Sequence, residues 1–162
     1  MEAADKSNNE KFTNDSVFGH LLVLATAGDA EVFVGGQSAS TPPGALLSVL
    51  PDALDRQALK SQRVVLVENG APMTEWDKIQ LPPPWDNSVI LYCGHRENAG
   101  FVQQIVADQP SSNLALYYDF DPEGLEMALR TGKGTILLPE DWRTSLIDRA
   151  MRERVTQRDF PR

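Results

Sequence analysis

The chain has 162 residues, of which 41% are hydrophobic, and a formal net charge of −8. This length suits one domain, and no apolar run reaches the ~18 residues that a membrane span requires. The negative charge argues against a domain that grips nucleic acid unaided, because phosphate contacts need lysine and arginine arranged over a surface. Cys93 is the single cysteine, which argues against an internal disulfide or a cysteine-rich zinc site. The composition predicts a soluble cytoplasmic protein.

The first part of the chain has a polar start followed by short apolar runs. Residues 1–16 lack hydrophobic periodicity, so we expect a disordered start or the remnant of a longer chain. Residues 20–25 (HLLVLA) and 31–34 (EVFV) flank a turn signal and predict a short β-hairpin.

The segment that follows predicts helical pieces. Residues 45–50 and 52–60 have helical character and are separated by Pro51, which does not fit a helix interior. We expect residues 17–60 to form an N-terminal extension made of this hairpin and these helical pieces.

Four buried strands alternating with helices are predicted beyond residue 60. The apolar runs are 64–69 (VVLVEN), 88–93 (SVILYC), 113–118 (NLALYY) and 135–138 (TILL). Continuous apolar runs of this length are typical of strands buried on both faces. Their alternation with helices predicts an α/β fold with a parallel sheet, whose carboxyl ends share one edge where ligands bind.

The helices between these strands have recognisable starts. Asn98 precedes an apolar helical stripe and is predicted to cap that helix. Asp121 followed by Pro122 is a good helix start, and the helix is expected to close near Gly132. A shorter helical piece is predicted at residues 71–78.

The end of the chain is locally basic. Residues 140–158 have apolar positions at helical spacing, which predicts a C-terminal amphipathic helix with an arginine-rich far side. Arg149 and Arg152 lie on this segment. The arginines fit either a solvated helix face or a contact with DNA or a partner.

Acidic residues stand at two of the predicted strand ends. Glu68 follows the first buried strand, and Asp119 and Asp121 follow the third, so the sheet is expected to bring three carboxylates to one edge. Mg²⁺ prefers a few carboxylates together with waters and phosphate oxygens. Pro122 and Gly124 fit a tight helix start beside this site. An Asp at a strand-to-helix turn also occurs in many α/β proteins without a metal.

Three segments resemble the Toprim domain: residues 64–69 (VVLVEN), 92–98 (YCGHREN) and 118–125 (YDFDPEGL). They contain an acidic strand end, a glycine-containing turn and an Asp-x-Asp motif. The resemblance covers about residues 60–142 and assigns residues 61–162 to a Toprim domain with its C-terminal helix. It looks closest to the topoisomerase VI A-subunit and to the nuclease subunits, of JetD or MksG type, of Wadjet and Mks condensin-like plasmid-defence systems.

The Toprim resemblance implies a Rossmann-like fold and a DNA endonuclease that depends on Mg²⁺ or Mn²⁺. Glu68 is implied as a general acid/base or metal ligand, and Asp119 and Asp121 as metal ligands. Gly94 falls at the family's glycine turn, and His95 is a further candidate for catalysis through a phosphate or a water.

The resemblance also implies partners. They are double-stranded plasmid DNA, subunits of an SMC or condensin-like complex and, as a further option, a second copy of this chain in a homodimer. Arg96, Arg149 and Arg152 are the DNA-binding candidates, and the expected location is the nucleoid. No membrane association is expected.

Other functions remain open at this stage. Related topoisomerases cleave DNA with a tyrosine from a separate domain, whereas Tyr92, Tyr117 and Tyr118 all fall in predicted strands, which favours water as the nucleophile. The alternatives are topoisomerase VI-like strand cleavage and a non-catalytic Toprim interaction module. A response-regulator-like phosphate site ranks last, because Lys133 precedes the final strand instead of following it.

Overall fold

The computed structural model describes residues 18–144. The strands are β1 (Leu22–Thr26), β2 (Val32–Val34), β3 (Gln37–Ala39), β4 (Leu47–Val49), β5 (Val64–Val67), β6 (Val89–Tyr92), β7 (Leu114–Tyr117) and β8 (Thr135–Ile136). The α-helices are α1 (Arg56–Leu59), α2 (Gly70–Thr74), α3 (Ala99–Asp108) and α4 (Pro122–Thr131), with 3-10 turns at Pro51–Ala53, Trp76–Lys78 and Ser111–Asn113.

Six of these strands form one mixed sheet in the order β4-β1-β6-β5-β7-β8. The four strands predicted from the apolar runs, β5 to β8, pair with one another in parallel, whereas β1 runs antiparallel to both β4 and β6. Strands from both sides of residue 60 therefore share one sheet. The α/β class and the parallel arrangement of the four predicted strands are confirmed. The predicted burial of the fourth is wrong, because β8 spans only two residues, one exposed and one half-buried.

The sheet is covered on both faces. Alternate residues of β5, β6 and β7 point to opposite sides, so Leu66 packs toward α3 and α4 while Val65 and Val67 pack toward α2. Val102 and Ile105 of α3 pack on the first face. Met73, Trp76 and Trp85 pack on the second face. Burial of both faces explains why the central strands read as continuous apolar runs.

The predicted hairpin between residues 20–25 and 31–34 is wrong. β1 pairs with β4 and β6, and β2 pairs instead with β3. The turn between β2 and β3 is Gly35-Gly36, with φ of 57° and 80°. A two-residue hairpin turn of the I′ type needs positive φ at both positions, which glycine adopts without strain.

The helix predicted at residues 45–50 is also wrong. Residues Leu47–Val49 form β4, an edge strand that pairs only with β1 in the described part of the chain. Long-range pairing overrides the local helical preference of the segment. The second predicted piece, residues 52–60, is present as the 3-10 turn Pro51–Ala53 and the single turn of α1.

Other helix predictions are confirmed. Asn98 stands at the N-cap of α3, but its side chain makes no cap hydrogen bond and instead donates to the Leu21 carbonyl over 2.8 Å. α4 begins at Pro122 and ends before Gly132, whose φ of 71° lies in the left-handed region that favours glycine.

Two predicted features fall partly or wholly outside the described residues. Residues 142–144 are helical, and the remainder of the predicted C-terminal helix lies beyond the described range, as does the predicted disordered start at 1–16. None of the helices within residues 18–144 has the length and apolar character to cross a membrane.

Candidate active site

The candidate site lies at β5, the point in the sheet where the order in which strands are added changes from one side to the other. β5 lies between β6 and β7 in the sheet. The next strand in the chain, β6, pairs with one side of β5, and the one after it, β7, pairs with the other side. The first connection carries α2 on one face, and the later ones carry α3 and α4 on the opposite face. In such doubly wound sheets the carboxyl edge at the reversal point is the usual ligand site.

Glu68 and Asn69 leave β5 at this edge, directly beside the end of β7. Val67 pairs with Tyr117 in parallel register, so Asn69 and Asp119 each stand two residues past the last paired position. The Asn69 amide donates to both carboxylate oxygens of Asp119, with Nδ2 to Oδ1 and Oδ2 distances of 3.3 and 3.2 Å. The sheet thus brings the two predicted acidic strand ends together.

The Glu68 carboxylate is half-buried in this cluster. Burial raises its pKa, the charges of Asp119, Asp121 and Glu123 raise it further, and a hydrogen bond with the Asp119 backbone lowers it. Within the described part of the chain, its Oε2 is buried and has no hydrogen-bond partner. A carboxylate in this setting holds a proton more firmly than an exposed one.

Asp121 has a structural contact as well as its place in the cluster. Its Oδ1 accepts a hydrogen bond from the Gly124 backbone N–H over 2.8 Å, which caps α4. Its charge still contributes to raising the pKa of Glu68. The predicted helix start is confirmed, and Asp121 is close enough to Glu68 for its charge to act on that carboxyl.

Two glycines press against the backbone of the acidic residues. A Cβ at Gly124 would lie 2.2 Å from the Asp119 carbonyl oxygen. A Cβ at Gly94 would lie 2.5 Å from the Glu68 carbonyl oxygen and 2.3 Å from the Tyr92 hydroxyl. Side chains at either position would displace the strand ends that carry the carboxylates.

The remaining candidate residues lie around this edge. The ring of His95 packs edge-on against Tyr92, and its Nδ1 is 3.3 Å from the Gly19 carbonyl oxygen, a contact with the start of the described chain and not with the carboxylates. Arg96 is exposed in the same loop. Arg149 and Arg152 lie outside the described residues.

An apolar cleft opens between α3 and α4 beside the acidic edge. It measures about 480 Å³, and Leu66, Cys93, Val102 and Tyr118 are among its lining residues. Burial raises the pKa of the Cys93 thiol to about 11 and raises that of the Tyr118 hydroxyl as well. Both groups are therefore protonated at neutral pH.

The described carboxylates do not form a closed metal cage. Among residues 18–144, no group of three His, Cys, Asp or Glu side chains is arranged to hold a metal ion. Mg²⁺ is usually bound by one or two carboxylates plus waters and substrate phosphates, so an open pair suits it better than it suits a structural metal. Glu68 and Asp119 lie on neighbouring strand ends, close enough for the Asp119 charge to raise the pKa of Glu68.

The hydrogen bonds from Asn69 to Asp119 were not predicted from the sequence. An Asn after a strand is ordinarily assigned to a turn, and Asn69 does form one. Its bond to Asp119 joins residues 50 positions apart. The parallel pairing of β5 with β7 is the only signal that predicts it.

Comparison with known proteins gives a family without a described activity. A model of the family described as Domain of unknown function (DUF7281) matches residues 19–159, most of the chain. Neither a curated protein nor a solved structure matches the chain.

Proposed function

This chain belongs to the DUF7281 family, and we propose that it is a Mg²⁺-dependent DNA endonuclease with a Toprim-like site at Glu68, Asp119 and Asp121. The observation that carries the proposal is the meeting of Glu68 and Asp119 at the carboxyl edge between β5 and β7. That edge is where the chain reverses across the sheet and where ligands bind in this architecture.

The donor set fits a hard divalent cation. Carboxylate oxygens are the ligands that Mg²⁺ and Mn²⁺ prefer, and the buried Glu68 Oε2 has no other partner among the described residues. Burial raises the pKa of Glu68 most, and the neighbouring charges of Asp119 and Asp121 raise it further, so these carboxylates repel one another. A bound cation would offset that repulsion and stabilise charge on a phosphoryl group.

We propose different roles for the acidic residues of the site. Asp119 is exposed and would hold the cation, with Asp121 beside it. The raised pKa of Glu68 moves it toward neutral pH, which is the direction that suits a group carrying a proton in acid–base catalysis. A role for His95 at a phosphate stays a prediction.

Water is the proposed nucleophile. Burial raises the pKa of Tyr92 and of Tyr118, which opposes the tyrosinate that a covalent mechanism needs. Tyr117 packs against the core face that holds Met73 and Trp76. Direct hydrolysis is therefore preferred to topoisomerase VI-like strand cleavage.

Partner subunits are proposed to deliver the DNA. A net charge of −8 opposes binding to phosphates, and the acidic edge carries the same sign as the substrate. We propose that an SMC or condensin-like complex supplies the basic surface and directs the site to plasmid DNA. Arg96 and the arginines at 149 and 152 are the contacts that this chain would add.

A non-catalytic Toprim-like interaction module is the second candidate. It is favoured by the lack of a ready three-group metal cluster among the described residues. In that case the acidic edge would serve as a docking surface, and metal binding would be absent.

Mn²⁺ binding and plasmid cleavage together test the proposal. Isothermal titration of the metal-free protein, followed by incubation with supercoiled plasmid and Mg²⁺ or Mn²⁺, compares the wild type with Asp119→Asn. The matched control is Asp77→Asn, an exposed carboxylate beside Thr26 at the opposite edge of the sheet.

We expect metal binding and cleavage by the wild type and by Asp77→Asn, and loss of both in Asp119→Asn. Cleavage that survives in Asp119→Asn at wild-type rates would show that the activity does not belong to this site. An absence of metal binding in the wild type would favour the interaction module.

A further inference from the structure

We propose that Asn69 is a positioning residue that fixes the Asp119 carboxylate for cation binding, an inference that rests on the proposed function. Nδ2 of Asn69 lies 3.3 and 3.2 Å from the two Asp119 oxygens, so one amide group spans both. Asp119 is exposed and follows the end of a strand. An exposed side chain at a strand end has several staggered rotamers open to it, and the Asn69 contact favours one of them.

Asn69 is itself held in one orientation. Its Oδ1 accepts a hydrogen bond from the Ala71 backbone N–H over 3.0 Å, which caps α2. Since the cap requires an acceptor and the carboxylate requires a donor, only one placement of the amide oxygen and nitrogen satisfies both. The helix cap therefore sets the direction in which the Nδ2 group points.

The chemistry at residue 69 calls for an amide. A carboxylate there would form the cap but would repel Asp119, and a serine hydroxyl would form the cap but is too short to span the gap to β7. Asparagine combines acceptor and donor at the right length. Its donor side is neutral, so it orders Asp119 without adding a cation that would compete with the metal.

The contact leaves the Asp119 oxygens able to bind a cation. Each carboxylate offers about four lone-pair sites, and the shared amide engages only part of that capacity. Outer groups that orient metal-binding carboxylates typically change metal affinity about 10–100-fold when they are removed. We expect an effect near the lower end, because Asn69 is exposed and its two bonds are long.

Asn69→Ser separates the two contacts of Asn69. Serine and asparagine are comparable N-caps, so α2 and the thermal unfolding midpoint should change little. Titration with Mn²⁺ alone should nevertheless give an affinity about 10-fold weaker than that of the wild type. The matched control is Asn87→Ser, since Asn87 Oδ1 also accepts a backbone hydrogen bond, from Asp29 over 2.8 Å, far from the acidic edge.

A second measurement needs no metal. In the metal-free protein, the side-chain amide resonances of Asn69 should shift in an Asp119→Ala variant, because the carboxylate acceptor is removed, while those of Asn87 should not. Unshifted Asn69 resonances would overturn the contact itself.

The outcomes separate this inference from the function on which it rests. Equal Mn²⁺ affinity in the wild type and in folded Asn69→Ser would overturn the positioning role and leave the proposed metal site intact. A wild type that binds no Mn²⁺ would overturn the metal site and the role of Asn69 with it.

Discussion

Replacing Gly124 with alanine should destabilise the protein by driving a methyl group into the backbone of Asp119. The added Cβ would lie 2.2 Å from the Asp119 carbonyl oxygen and 3.0 Å from its carbonyl carbon. These atoms are main chain at a strand end and cannot rotate away as a flexible side chain does. Overpacking of this kind costs roughly 1–3 kcal/mol.

Gly100 supplies the matched control, because it also lies in the first turn of a helix and a Cβ there would meet nothing within 4 Å. Gly100→Ala should stabilise the protein by about 0.4–1 kcal/mol through the lower entropy of the unfolded chain. Gly124→Ala gains the same benefit, so the difference between the two variants isolates the collision. That difference corresponds to roughly 3–9 °C in the unfolding midpoint at this chain length.

Thermal unfolding followed by circular dichroism, with urea unfolding alongside, measures both variants. Gly124→Ala should also bind Mn²⁺ more weakly, because the carboxylate of Asp119 moves with its displaced backbone. If Gly124→Ala were as stable as Gly100→Ala, the close approach of α4 to the end of β7 would be refuted.

Two further predictions concern single groups near the same edge. Asp121→Ala should lower the free energy of unfolding by about 1 kcal/mol, because it removes the cap on the Gly124 N–H. Asp121→Asn should keep that stability but weaken Mn²⁺ binding. Equal urea midpoints for the two variants would contradict the cap. Native Cys93 should react slowly with a thiol reagent at pH 8 and faster as the pH nears 11, because burial raises its pKa from 9.0 to about 11. Since the pKa of Cys93 is higher in the folded state, its contribution to stability is complete below pH 9 and is lost as the pH rises toward 11. If the native protein were labelled at pH 8 as fast as the unfolded chain, the burial of Cys93 would be contradicted.

Three strands of the parallel core were predictable because each carries its own signal. A strand buried on both faces must be apolar throughout, so β5, β6 and β7 appear as separate runs in the sequence. The start of α4 was predictable for the same reason, since Asp121 and Pro122 are adjacent and act locally.

The two antiparallel pairings of the sheet, β1 with β4 and β1 with β6, were not predictable in this way. β1 has a clear strand pattern, but this pattern does not indicate which strands pair with it, and the partners are β4 and β6. The hairpin prediction assumed the nearest partner. The Gly35-Gly36 turn was present in the sequence and, joined to the short runs on either side, would have indicated the β2–β3 pairing instead.

The candidate site also contains residues that the sequence marks locally and one whose role depends on long-range pairing. Glu68, Asp119 and Asp121 are conspicuous as acidic residues at strand ends, and their approach follows from parallel pairing. Asn69 is a polar residue beside an acidic one, and its partner is known only when β5 and β7 are aligned.

The position of β1 between β4 and β6 sets an order of events during synthesis of the chain. Leu24 pairs with Leu91, so β1 leaves the ribosome long before its inner partner exists. Among the described strands, only β4, which has three residues, can pair with β1 before β6 is made. Non-local pairings of this kind slow folding. We therefore expect β1 to stay incompletely paired on the nascent chain until β6 is made, as an apolar segment of the kind that aggregates or binds chaperones.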